Sequence, residues 1–65
     1  MADSAALAEV LRRIQIVEDN LRELQEQAAA YSGAADEERI AERIADQQAK
    51  LDALLKEREA LMNKS

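Results

Sequence analysis

The chain has 65 residues, fourteen of them acidic and nine basic, for a net charge of −5. It has neither cysteine nor histidine, which leaves out disulfides, thiolate zinc sites and the usual imidazole ligand or catalytic base. A chain this short buries a smaller fraction of its surface than a larger domain does, so with no cross-link or metal to hold it, association with another chain is the expected support.

In chain order, the opening MADSAALAEVLRR is acidic before it is basic and has no long apolar stretch, so it does not read as a secretory signal. Ser4, or Asp3 before it, suits the capping position of a first helix. From there Leu7, Val10, Ile14, Val17, Leu21, Leu24, Ala28 and Tyr31 recur at spacings of three and four, the seam of an amphipathic helix expected over residues 4–31. Ser32, Gly33, Ala34 and Ala35 are expected to form the turn, with the only glycine suited to ending a helix and Tyr31 closing the end of the bundle. A second helix is expected over 36–62, with Asp36, Glu37 and Glu38 placing negative charge at its start. The whole, residues 1–65, reads as one helical hairpin with short frayed termini.

The seam does not continue in phase across the turn. Extended onward, the first frame reaches Glu38, Glu42, Asp52 and Lys56, whereas a frame displaced by two residues collects Ile40, Ile44, Gln47, Leu51, Leu54, Arg58 and Leu61. Two residues rotate a helix by about 200°, so a continuous helix would turn its two stripes in opposite directions, and an antiparallel hairpin turns them face to face. With Ala34 as pivot, facing residues have numbers totalling 68, which pairs Leu7 with Leu61, Ile14 with Leu54, Val17 with Leu51, Leu24 with Ile44 and Ala28 with Ile40. Val10 then meets Arg58, whose stem can cover apolar surface, and Leu21 meets Gln47, which Asn20 on the flank of the first helix is placed to reach. The fold class is therefore all-α, a coiled-coil hairpin expected to dimerise into a four-helix bundle.

Apolar residues beside the seam suggest what that dimer uses. Leu11, Leu55 and Met62 widen the stripes at the end carrying the termini, and Ile16 lies on the side of the first helix expected to face solvent. These four are the expected oligomer or partner interface. The charged faces are explained by acid-before-base pairs four residues apart: Glu9 with Arg13, Glu18 with Arg22, Asp46 with Lys50, and Asp52 with Lys56.

No enzyme is expected, since nothing in the residue set provides a nucleophile and base in a sheltered pocket, and neither metal nor cofactor is expected. The expected function is a cytoplasmic protein–protein interaction module: an adaptor, an assembly or secretion chaperone, or a small regulator. Its expected partners are a second copy and another helical protein, with no membrane. A dimer of two-helix hairpins resembles the Rop proteins that modulate plasmid RNA pairing, a resemblance of architecture without a shared motif. It implies the alternative of a nucleic-acid-binding regulator using Arg12, Arg13, Arg22, Arg39 and Arg43. The net negative charge and the acidic residues interleaved with these arginines oppose that alternative.

Overall fold

A computed structural model describes residues 4–30 and 34–63. They form two helices, α1 (Ser4–Ala30) and α2 (Ala34–Asn63), packed against each other along their length. The hairpin measures 51 × 14 × 11 Å, long and two helices wide. Ser4 opens α1 where the sequence suggests, while the alternative cap Asp3 and the turn residues Tyr31 and Gly33 lie outside the described residues. The connection differs from the expected 32–35, because Ala34 and Ala35 belong to α2. The reason is physical: alanine has the strongest helix preference of any residue, so Ala34 and Ala35 extend the second helix toward the turn. The pivot inferred at Ala34 is thus a helical residue.

The core is a single strip between the helices. Val10, Ile14, Val17 and Leu21 of α1 are buried, with Val10 only 4% exposed, and Ile40 of α2 is buried as well. Leu7, Leu24 and Ala28 in α1, and Ile44, Leu51, Leu54 and Leu61 in α2, are half-buried. Leucine and isoleucine at three-and-four spacing stack along one side of each helix, which is why the strip runs end to end. With just one neighbouring helix, however, each inner side chain is covered from one direction only. Among the described residues no side chain is completely removed from water.

A side-chain bond across the hairpin fixes the levels. Asn20 Nδ2 donates to Gln47 Oε1 at 3.4 Å, which places these two residues at about the same level, as the pairing across the turn expects. Gln47 itself is half-buried in the seam and Arg58, the other polar seam residue, is also half-buried. Asn20 is exposed, and the bond lets the glutamine amide keep a polar partner at the edge of the core.

Candidate interaction surface

The stripe Arg13, Val17, Asn20, Leu24 and Gln27 on α1, again at spacings of three and four, borders one long flank of the hairpin. Its counterpart on α2 is Arg43, Gln47, Lys50 and Leu54. Among the described residues, grooves lie along this flank at two places. The one nearer the turn, about 550 Å³, is polar: Asn20 and Gln47 lie in it with Glu23, Leu24 and Gln27 of α1 and Glu42, Arg43 and Asp46 of α2. The other, about 380 Å³, is mostly apolar: Ile16 and Val17 from α1 face Ala53 and Leu54 from α2, with Arg13 and Lys50 as its charged members.

Ile16 is therefore better described as the lip of a groove than as a residue on the outer side of α1. It is 53% exposed, yet it lies beside Val17, Ala53 and Leu54. Reading a helix as a cylinder with one buried stripe misses this position, because the cleft between two parallel cylinders is bordered by residues well round from the line of contact. The signal available in the sequence was the combination of a branched apolar residue on α1 with the small Ala53 at nearly the same level of α2.

The remaining proposed interface residues do not join Ile16. Leu11 is nine residues before Asn20, about half a turn around the helix, and Leu55 is five residues beyond Lys50, about 140° around. Both belong to the opposite flank, together with Met62. Leu11 is 46% and Met62 57% exposed, and Leu55 is half-buried. Met62 and Leu11 are separated by about six levels, roughly 9 Å along the axis. The four residues thus divide into two surfaces.

Charged residues tie neighbouring turns together. Arg13 Nε meets Glu9 Oε1 at 3.0 Å, and Arg12 shares the same carboxylate. Asp46 pairs with Lys50 at 3.4 Å. Arg22 takes Asp19 at 2.7 Å, three residues before it, instead of Glu18, and Asp19 also accepts from Gln15 at 3.1 Å. Asp52 accepts from Gln48 at 3.2 Å, and no Asp52–Lys56 ion pair is formed. Both partners of each ion pair are substantially exposed, so solvent screens them and leaves each attraction weak. Three of the arginines considered for phosphate binding, Arg12, Arg13 and Arg22, are held by carboxylates.

Glu9 shows the chemical consequence of this pairing. Hydrogen bonds from Arg12 first and Arg13 second favour its charged form and hold the carboxyl below the ordinary glutamate range. A depressed folded-state value means that the contribution to stability is present above the unfolded-chain pKa and lost as pH falls through the folded one. In a carbon-detected NMR titration, the Glu9 carboxyl is expected to titrate below an ordinary glutamate and to move up in an Arg12→Gln, Arg13→Gln double variant. An unchanged midpoint would disconnect the arginines from the shift.

Among the described residues, no group of His, Cys, Asp or Glu comes together in a way that could hold a metal ion, and no helix is long and apolar enough to cross a membrane. No protein-family model, curated protein sequence or solved structure matches the chain.

Proposed function

We propose that this chain is a non-enzymatic protein–protein interaction module, a helical hairpin that associates with a second copy of itself and offers its remaining helix surface to another helical protein. One observation carries the reading. The hairpin exposes 5024 Å². A compact monomer of its mass, 7.2 kDa, exposes about 4,100 Å². Its radius of gyration, 15.0 Å, likewise exceeds the roughly 11 Å of a compact chain of the same length. The excess surface, about 900 Å², is close to the roughly 800 Å² that each partner buries in a stable interface of standard size. Association along one flank would bring the chain to the burial that a self-sufficient domain reaches alone. The nucleic-acid alternative has less support, since Arg12, Arg13 and Arg22 have carboxylate partners and Arg43 shares its groove with Glu23, Glu42 and Asp46.

Sedimentation equilibrium from micromolar to millimolar concentration, with melting followed by circular dichroism at each concentration, tests the proposal. The expected result is a dimer whose melting temperature rises with concentration, because association stabilises the folded chain by mass action. A monomer that melts cooperatively at one temperature throughout would overturn it.

A further inference from the structure

The proposal that the hairpin pairs with itself leaves open which flank is used and how the copies are turned. The apolar groove answers both questions. Ile16 projects at its lip, 53% exposed, while the exposed Ala53 across from it ends at Cβ, so a bump lies beside a dent. We propose that this groove seats a second copy related by a two-fold axis running along the groove, with Ile16 of each chain entering the hole between Lys50 and Ala53 of the other.

Geometry favours this axis over the alternative across the groove. Rotation about the long direction lays α1 of one copy over α2 of the other and leaves every residue at its level. Ile16 then falls between Lys50 and Ala53 of the second copy, since these pairs have numbers totalling 66 and 69, on either side of the 67 of the bonded pair Asn20 and Gln47. A large side chain meets a small one at each of two equivalent places, the interdigitation that helix packing requires.

Rotation about an axis across the groove at Ile16 sends the turns to opposite ends. It stacks Ile16 on Ile16 and brings Ala53 close to Ala53, holding the α1 pair apart while leaving the α2 pair under-filled. Arg13 and Lys50 keep their own partners, Glu9 and Asp46, so the basic rims meet already neutralised.

The area is sufficient as well. A flank 51 Å long and 14 Å wide covers roughly 700 Å², near the roughly 800 Å² that each partner buries in a stable dimer. The opposite flank carries Leu11 level with Leu55, with Met62 about 9 Å further along, and the charge substitutions below tell the two flanks apart.

The absence of cysteine makes the test clean. Equal amounts of two single variants, Ile16→Cys and Ala53→Cys, would be mixed, oxidised gently and resolved by non-reducing electrophoresis and mass spectrometry. The expected product is the 16-to-53 heterodisulfide, well above the half expected for random pairing. Predominance of 16-to-16 and 53-to-53 products, or a random mixture, would overturn the arrangement.

Charge substitutions give a second, independent measurement. Ile16→Glu is expected to raise the dimer dissociation constant at least about tenfold with helicity retained at high concentration, and Leu11→Glu to leave it unchanged. The reverse pattern would remove the groove from the interface while self-association stood. A wild-type chain that is monomeric at every concentration would remove self-association itself.

Discussion

Replacing Ile14 with alanine is expected to destabilise the hairpin by about 2–5 kcal/mol, read from urea denaturation followed by circular dichroism. Ile14 is 6% exposed near the middle of α1, with buried Val10 and Val17 on the same face. Truncation to alanine removes apolar contacts and leaves space that the two helices cannot close without disturbing neighbouring levels. The total stability expected of 65 residues is roughly 3–10 kcal/mol, so this single change consumes a large part of it and can leave the chain unfolded at ambient temperature. The exposed Ala45→Gln substitution, changed in size but away from the strip, is expected to alter stability by no more than about 0.5 kcal/mol. Equal effects at the two positions would mean that the strip between the helices does not hold the fold.

The opposite sign is expected for Gln47→Leu, a gain of about 1 kcal/mol and a rise in melting temperature of about 4–8 °C. Gln47 is half-buried at a seam position that leucine would fill with apolar surface of similar volume. Its bond from Asn20, at 3.4 Å, is long compared with the common 2.7–3.2 Å range and offsets only part of the cost of removing an amide from water. Asn20 is exposed, so on losing its partner it returns to solvent with little penalty. What the substitution removes is the polar marker that distinguishes this level from the others, the use to which single polar seam residues are best suited. A fall in melting temperature would instead make the Asn20–Gln47 pair a net source of stability.

The displaced seam made most of the fold readable from the residues. A two-residue phase change leaves one economical solution, two facing helices, and the apolar rhythm beginning at Leu7 places the start of α1 close to Ser4. The start of α2 was harder to read because Ala34 and Ala35 beside Gly33 look like connecting residues, while their intrinsic preference is helical. Choice among acids was also beyond the four-residue rule. Glu18 and Asp19 are both within reach of Arg22, and the shorter Asp19 side chain at three residues takes the bond.

Least legible was the division of Leu11, Ile16, Leu55 and Met62 between two flanks. Helical periodicity says how far each lies from its own seam. The side of the hairpin on which it emerges depends on the sense in which the second helix returns.

The level arrangement also sets the order in which the hairpin opens. Each pair of facing residues closes a loop, from the 12 residues separating Ala28 and Ile40 to the 54 separating Leu7 and Leu61. Chain entropy alone makes the outer closure about 1.3 kcal/mol harder than the inner one. Leu7 and Leu61, both half-buried, give the far end little with which to resist. The helices are thus expected to separate like the blades of scissors from the ends carrying Ser4 and Asn63, while the levels around Ile40 stay together longest.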